Sequence, residues 1–201
     1  MSGVGATVPR VSTPAPASPA PFRCFGTGDA LYEAYHDTEW GRPVRGDAAL
    51  YERLSLEAFQ SGLSWITVLR RRETFRTAFA GFDPAAVARF DDDDVARLMA
   101  DPGIIRNRLK VEATIANART AVAMAERGES LSDLVWSFAP GPAPAPVTPA
   151  DVPASTPASQ ALAAALKRAG FRFVGPTTAY ASMQACGLVD DHLAHCPARG
   201  R

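Results

Sequence analysis

Cysteines, an excess of one charge and long apolar runs are all missing or scarce in this sequence. Its 201 residues include three cysteines, too few and too scattered for a disulfide framework, which indicates a reducing compartment. The 21 basic residues balance 21 acidic ones, so net charge gives no global attraction to nucleic acid or to a membrane. No stretch has the length of a transmembrane helix, and the N-terminus lacks the pattern of a secretory signal. We expect a cytoplasmic protein with no membrane partner.

Two familiar catalytic patterns are missing as well. The three histidines offer no Ser-His-Asp or Cys-His nucleophile arrangement that the sequence can support. There is also no glycine-rich loop of the nucleotide-binding kind. Any catalytic site must therefore be formed by other combinations of residues.

The length and composition fit one domain with a sizeable core, since 47% of the residues are hydrophobic and 21% are charged. Residues 1–21 are rich in Pro, Ala and Ser without apolar periodicity, which predicts a disordered tail. A similar stretch at 139–157 could be a linker or a surface loop. The segment after it is too short to form its own core, which favours a loop. We therefore expect a single helical domain over residues 22–198.

Apolar residues recur at helical spacing in nearly every other segment. The stretch 50–69 is central because it has few charges and apolar residues on more than one face. Asp47 is predicted to cap its helix, and Ser64 to cap the next one, over 65–79. Only 171–174 has strand character, and a lone strand makes no sheet, so the predicted fold is all-α. The further helices are expected at about 29–39, from 84, from 91, and at 107–127, 130–138, 159–169 and 176–186.

A carboxylate and several aromatic residues form the first candidate site. Glu57 lies at the border of the apolar stripe of the central helix, either half-buried for a purpose or as an edge charge in water. Tyr32 and Tyr35 lie within one turn of the first helix, and Trp40 and Trp65 follow nearby. Aromatic faces around a carboxylate could sandwich a flat base. Simple core packing would explain the same residues.

The second candidate site is a metal cluster. Cys24 and His36 lie near the start of the ordered chain, while His192 and Cys196 form a His-x3-Cys pattern near its end. Two thiolates and two imidazoles suit tetrahedral zinc, and such a site would join the two ends of the domain. The alternative is an ordinary thiol with histidines on a frayed tail, where His195 could also compete as a ligand.

The third candidate site is the connection at 101–110, DPGIIRNRLK, between two predicted helices. Its Pro-Gly pair permits a tight turn, and the N–H groups that begin the following helix could bind phosphate. Arg106, Arg108 and Lys110 would surround that point with positive charge. This pattern is typical of a hairpin that holds the DNA backbone without reading sequence, or of a plain helix connection with a solvated basic face.

Several long strings together resemble one family. From about residue 23 to residue 196, the chain resembles DNA-3-methyladenine glycosylase I, a helix-hairpin-helix glycosylase, and the matching strings occur in the order of that family. The matching strings are YEAYHDTEWG at 32–41, LEAFQSGLSWITVLRRR at 56–72, DPGIIRNRLK at 101–110, LVWSF at 134–138 and FRFVGPTTAYASMQACGLVDDH at 171–192.

The resemblance implies an enzyme that flips 3-methyladenine out of double-stranded alkylated DNA and hydrolyses its N-glycosidic bond. Glu57 would be the carboxylate that recognises the base, and Tyr35 and Trp65 would stack on it. Tyr32 would be another pocket residue. Phe25 would replace an aromatic ring that some members carry two residues after the first cysteine.

The resemblance also implies one structural zinc ion and a DNA-backbone anchor. No lysine is identifiable as a Schiff-base nucleophile, so we expect a monofunctional glycosylase. We also expect a monomer that releases free 3-methyladenine. The implied zinc ligands are Cys24, His36, His192 and Cys196, and the implied anchor residues are Gly103, Ile104, Arg106, Arg108 and Lys110.

The expected chemistry follows from the charge of the lesion. Methylation at N3 makes the adenine cationic, so it can leave as a neutral base without a strong acid. Glu57, expected to be ionised and half-buried, would accept hydrogen bonds from the exocyclic amine, and the rings would stack on the cation. The competing hypothesis is a catalytically inactive, zinc-clipped helical module for DNA binding or scaffolding. A plain protein-interaction domain would leave the basic hairpin without a role.

Overall fold

The computed structural model describes residues 22–200, and all the regular structure in that range is helical. This confirms the all-α prediction. The tail expected at 1–21 lies outside the described residues. The helices are α1 (Ala30–Thr38), α2 (Asp47–Gln60), α3 (Trp65–Leu69), α4 (Arg72–Ala78), α5 (Pro84–Val87), α6 (Asp92–Ala100), α7 (Arg108–Glu126), α8 (Leu131–Trp136), α9 (Pro157–Ala169) and α10 (Pro176–Ala185), with short 3-10 turns at Ala80–Phe82 and Pro149–Asp151.

Helix α2 lies at the centre of the fold, where it packs against α3, α7, α8 and α10. Leu54 and Leu56, which lie on nearly opposite sides of α2, are both buried. One cluster of buried side chains extends from Tyr35 in α1 to Leu188 after α10. Because α2 is covered on several sides, a polar residue on its buried faces is held in apolar surroundings. This is the local reason that a carboxyl on α2 can be buried.

Side-chain caps fix most of the helix starts where the sequence predicts them. The Asp29 carboxylate accepts a hydrogen bond from the Tyr32 N–H at 3.0 Å, and Asn107 Oδ1 accepts one from the Lys110 N–H at 3.2 Å. Asp91 begins α6 with a reciprocal capping box. Such caps satisfy N–H groups that have no partner within the helix. They fix where α1 and α7, the helices nearest the candidate sites, begin.

The start of α2 differs from the prediction. Gly46, not Asp47, is its N-cap residue, and Asp47 is the first helical residue. The Asp47 carboxylate instead accepts hydrogen bonds from Ser130 Oγ and the Ser132 N–H, both at 2.8 Å. The carboxylate therefore ties α2 to the first turn of α8, a contact that the local sequence cannot reveal.

Two further predictions of regular structure are wrong. The helix expected over 65–79 is divided into α3 and α4, because the backbone at Arg71 leaves helical geometry with φ −105° and ψ 1°. The segment 171–174 forms no strand, and Phe173 adopts a positive φ of 56°. Asn117 of α7 pairs with the backbone N–H and C=O of Arg172, at 2.7 and 3.1 Å, in place of a neighbouring strand.

The Pro/Ala-rich segment 139–157 is mostly exposed and follows the surface between α8 and α9. It contains the 3-10 turn Pro149–Asp151, and Val152 packs against the core. The Pro146 carbonyl accepts a hydrogen bond from the Ala194 N–H at 2.8 Å. Among residues 22–200, no helix is long and apolar enough to cross a membrane.

Candidate functional site

A cavity of about 130 Å³ opens between α1, α2, α3 and α10, with Glu57 in its wall. A neighbouring cavity of about 230 Å³ shares Glu57, Gln60 and Ala181 with it. The carboxyl thus lies where the two spaces meet. The first space, called the base cavity below, is lined by Phe25, Tyr32, Tyr35, Trp40, Glu57, Gln60, Trp65, Ala181 and Gln184.

Aromatic rings form most of the wall of the base cavity. The ring centroids of Tyr35 and Trp65 are 5.3 Å apart, and those of Phe25 and Tyr32 are 4.9 Å apart. Phe25 also meets the Trp40 ring edge-on at 5.0 Å. The fold therefore brings together the three aromatic residues predicted to line a pocket, and Phe25 completes the wall beside them. Such a wall favours a flat ligand, and a cationic one more strongly.

Glu57 is more deeply buried than the sequence predicts. It is 5% exposed, and no residue in the described range donates a hydrogen bond to its carboxyl. Burial raises its pKa to about 8, although the nearby charge of Arg53 acts in the opposite direction. Glu57 is therefore more deeply buried than the expected half-buried carboxylate, and its raised pKa favours the protonated form at neutral pH in the empty cavity. A cation in the cavity would favour the ionised form.

Three more polar side chains line the base cavity, those of Trp65, Gln60 and Gln184. The indole Nε1 of Trp65 is buried without a hydrogen-bond partner among the described residues. Gln60 lies one helical turn after Glu57, so its place on the same face of α2 could have been predicted. Gln184 comes from α10, far away in sequence, and no local pattern indicates it.

The four predicted metal ligands meet at one point. Their donor atoms all lie within 4.8 Å of one another. Cys196 Sγ is 3.5 Å from His192 Nδ1 and 3.6 Å from His36 Nε2, and Cys24 Sγ is 3.7 Å from His192 Nδ1. Zinc–sulfur and zinc–nitrogen bonds of usual length, at a tetrahedral angle, place sulfur and nitrogen about 3.6 Å apart. The donor set and its spacing therefore fit a metal ion.

Each imidazole of this cluster also has an outer partner. His36 Nδ1 is 2.8 Å from Asp37 Oδ1, and His192 Nε2 is 3.2 Å from the Trp40 carbonyl oxygen. The outer nitrogens thus donate, which leaves His36 Nε2 and His192 Nδ1 with lone pairs toward the cluster. His195, the competing ligand, is exposed and packs against Phe22 instead.

Of the two thiols of the cluster, that of Cys196 is buried and that of Cys24 is partly buried. The Leu193 N–H donates to Cys24 Sγ at 3.2 Å. Burial raises the pKa of the Cys24 thiol to about 11, so a bound cation is needed to hold it as a thiolate at neutral pH. The cluster joins the segment before α1 to the segment after α10, and it can hold a metal.

The connection between α6 and α7 is a tight turn. The Gly103 N–H donates to Asp101 Oδ1 at 2.7 Å, and Ile104 is buried. A Cβ atom on Gly103 would lie 2.2 Å from Thr74 Cγ2, so only glycine fits there without displacement. Contact with α4 therefore holds the turn in place.

The basic residues of the turn divide into two kinds. Arg106 and Arg108 are exposed, as a DNA-facing surface requires. Lys110, predicted to join them, is instead 7% exposed. Its Nζ donates to the carbonyl oxygens of Phe59 at 3.0 Å and Ser61 at 2.7 Å. The cation satisfies carbonyls left unpaired at the C-terminal end of α2, so Lys110 is excluded from a backbone-binding surface.

Comparison with known proteins gives the family of the chain. The family model of methyladenine glycosylase matches residues 25–199. The chain is 51% identical to DNA-3-methyladenine glycosylase 1 of Escherichia coli (strain K12) over 170 residues, which cover 84% of this chain and 91% of that protein. It is 46% identical to DNA-3-methyladenine glycosylase of Haemophilus influenzae, over 88% of this chain and 97% of the relative.

Solved structures agree in fold over most of the chain. A crystal structure of 3-methyladenine DNA glycosylase I superposes with a TM-score of 0.86 and 49% identity, covering 89% of this chain and all of the other. A Tyr-to-Phe variant of such an enzyme in complex with 3-methyladenine superposes with a TM-score of 0.83 and 34% identity, covering 89% of this chain and 97% of the other. The chain therefore belongs to the methyladenine glycosylase family.

Proposed function

We propose that this protein is a DNA repair glycosylase that removes 3-methyladenine from double-stranded alkylated DNA by hydrolysis of the N-glycosidic bond. One observation carries the proposal: the buried, unpartnered Glu57 carboxyl in an aromatic cavity of about 130 Å³, a size suited to a single purine ring system. The named activity of the relatives and the 3-methyladenine bound in one of them support the same substrate.

Recognition depends on the charge of the lesion. N3-methylated adenine in DNA is cationic, and its entry allows Glu57 to lose its proton and form an ion pair in surroundings of low dielectric. The rings of Tyr35 and Trp65 stabilise the same positive charge, and Tyr32 completes that wall. An unmethylated adenine is neutral and would leave Glu57 protonated, without this stabilisation. The cavity therefore selects the damaged base over the normal one.

Catalysis needs little help with the leaving group. The cationic base departs as a neutral molecule when the glycosidic bond breaks, so no acid has to protonate the ring. Glu57 binds the exocyclic amine and holds the base in place while the positive charge moves from the base to the sugar, and it is the catalytic residue in this sense. The neighbouring cavity, lined in part by Ser61, Thr177 and Thr178, gives the deoxyribose and the attacking water a place next to the base.

Neither lysine of the chain offers a suitable amine for a lyase step. Its two lysines are Lys110 and Lys167. Lys110 Nζ is held by two carbonyl oxygens of the α2 end, and Lys167 lies exposed on α9. Neither lysine lines the base cavity or its neighbour. This supports a monofunctional glycosylase without strand cleavage.

The metal is proposed to be one zinc ion with a structural role. Two sulfur and two imidazole donors at tetrahedral spacing favour zinc over harder cations. None of Cys24, His36, His192 and Cys196 lines the base cavity. The ion would therefore hold the two ends of the domain together, and the reaction would not pass through it.

The α6–α7 turn is proposed as the DNA-backbone anchor, with Gly103 and Ile104 shaping it and Arg106 and Arg108 facing the phosphates. We further propose that residues 22–198 form one domain that acts as a monomer in the cytoplasm. The main core cluster from Tyr35 to Leu188 supports a single domain, and the three free cysteines support a reducing compartment.

Incubation with methylated duplex DNA, followed by chromatography of the released bases, tests the proposed activity. We expect free 3-methyladenine from the native protein and almost none from Glu57→Ala. Treatment with borohydride should trap no covalent protein–DNA adduct. Binding of the DNA without any base release would instead identify an inactive DNA-binding or scaffold module.

A further inference from the structure

One polar group at the base cavity is oriented by a residue outside it. Gln184 Nε2 donates a hydrogen bond to Asp191 Oδ2 at 2.8 Å. Since an ionised carboxylate only accepts hydrogen bonds, the amide nitrogen must face Asp191 and the amide oxygen must face away from it. Gln184 lines the base cavity, and no residue in the range 22–200 donates to its Oε1.

Asp191 is itself held firmly. Its Oδ2 also accepts a hydrogen bond from the Tyr180 hydroxyl at 2.6 Å. Asp191 and Tyr180 border a different cavity, of about 670 Å³, next to the segment 139–157. Neither of them lines the base cavity. Asp191 thus acts on the base cavity only through the amide of Gln184.

The backbone of Gln184 is fixed as well. The residue lies in the last turn of α10, and its carbonyl oxygen accepts a hydrogen bond from the Gly41 N–H at 3.1 Å. Gly41 directly follows Trp40 of the cavity wall. With the main chain and the amide nitrogen both held, rotation of the amide to present its N–H groups to the cavity would break the bond to Asp191.

From this geometry we propose that Gln184 is a specificity-determining residue and Asp191 its positioning residue: the fixed Oε1 acceptor of Gln184 selects methylated purines with an amine at C6 over those with a keto oxygen at C6. The proposal rests on the proposed function and adds to it a residue pair for base discrimination.

The chemistry of the two purines explains the selection. The exocyclic amine of an adenine has two N–H groups, so it can donate one to Glu57 and the other to Gln184. A guanine has a keto oxygen at that position, which would face the Gln184 oxygen as a second acceptor. A buried acceptor without a donor loses about one hydrogen bond, or roughly a factor of ten in rate or affinity. If Asp191 did not hold the amide, the side chain could rotate and donate to the keto oxygen.

Two substitutions test the pair from both sides. Gln184→Met removes the acceptor at nearly constant volume, and Asp191→Leu removes the anchor. The measurement is the ratio of 3-methyladenine to 3-methylguanine released from one sample of methylated duplex. Because this is a ratio within each sample, it is unaffected by the fraction of active protein. We expect both substitutions to lower the ratio about tenfold relative to the native protein.

Two matched controls distinguish a loss of the Gln184 amide orientation from a general disturbance of the surrounding structure. Asp191→Asn can place its amide oxygen where Oδ2 lies, so it should restore the native ratio to within a factor of about two. Tyr180→Phe removes only the second hydrogen bond of Asp191, and its ratio should likewise change less than about twofold. Bound zinc is measured in every variant, since Asp191 precedes His192. If Asp191→Leu fails to fold, Gln184→Met still gives the result.

Two results would overturn the proposal: an unchanged ratio in Gln184→Met, or a loss in Asp191→Asn as large as in Asp191→Leu. The latter would show that charge, and not amide orientation, is responsible. Calorimetric titration of the folded native protein and Gln184→Met with free 3-methyladenine and 3-methylguanine measures the same discrimination without catalysis. Failure of base release alone would then contradict the proposed activity, whereas equal affinity of the native protein for both bases would contradict the role of Gln184.

Discussion

The metal cluster and the base cavity differ in whether their buried polar groups have hydrogen-bond partners. In the cluster, His36 and His192 each have an outer partner, and their inner nitrogens face the two thiols. In the cavity, the carboxyl of Glu57 and the Nε1 of Trp65 have no partner among the described residues. Satisfied polar groups stabilise a fold, while unsatisfied ones reduce its stability until a ligand pairs with them. The arrangement of the first region therefore favours stability, and that of the second favours the binding of a ligand.

Removal of a cluster ligand should give the largest effect on stability. His192→Ala leaves two thiols and one imidazole without a complete donor set, so bound zinc should be lost and the free energy of unfolding should fall by about 4 kcal/mol or more. Metal analysis and urea denaturation measure both quantities. His195→Ala, exposed and outside the cluster, is the matched control and should change neither. Full zinc occupancy in His192→Ala would show that the ligand assignment is wrong.

Glu57→Gln should lower activity and raise stability. Without a carboxylate to pair with the cationic base, release of 3-methyladenine should fall about 100-fold or more. The amide has no charge to desolvate, so stability at pH 8 should rise. Base release and urea denaturation are measured on the same preparation, with affinity for undamaged duplex as the control. A loss of DNA affinity as large as the loss of activity would reject a role in the base cavity.

The pH dependence of stability provides a finer test of the same carboxyl. The pKa of Glu57 rises from an ordinary value of 4.5 to about 8 on folding. Between these values the folded protein binds one more proton than the unfolded chain, so this group lowers stability as the pH rises, by about 1.4 kcal/mol per unit. The stability difference between Glu57→Gln and the native protein should therefore grow from pH 5 to pH 8 and then level off. A constant difference would contradict the raised pKa.

The exposed arginines of the α6–α7 turn belong to neither region and should give the smallest effect. Arg108→Ala removes one phosphate contact, so affinity for any duplex should fall a few-fold and the salt dependence of binding should weaken by about one ion. Fluorescence anisotropy at several salt concentrations measures this. Lys167→Ala on α9 is the matched control, and an equal change there would show that the turn has no special role.

The sequence predicted the parts of the molecule that depend on local chemistry. Asp29, Asn107 and Asp91 cap the expected helices, because a cap needs only the residues that follow it. The family resemblance then connected distant strings, including the two cysteines and two histidines that the structure places within 4.8 Å. The spacing within either pair, near the start or near the end of the chain, would not have been enough to predict a metal site.

Other features depend on contacts between distant elements and could not be predicted in this way. Asp47 caps nothing in α2, since Ser130 and Ser132 of another element occupy its carboxylate. Lys110 has the sequence context of a DNA-binding residue, but the C-terminal end of α2 lies against it. Its ammonium group donates to two carbonyl oxygens there. The depth of Glu57 likewise results from the packing around α2, not from its position on a helical wheel.

The placement of the metal ligands has a consequence during synthesis. Cys24 and His36 leave the ribosome early, whereas His192 and Cys196 are among the last residues of the described range to be translated. Any chain cut before residue 192 lacks half of the donors and cannot form the complete four-ligand site, however well its other helices form. The ion would then join only those polypeptides translated nearly to the end of this range, so truncated products would stay less stable and open to proteases.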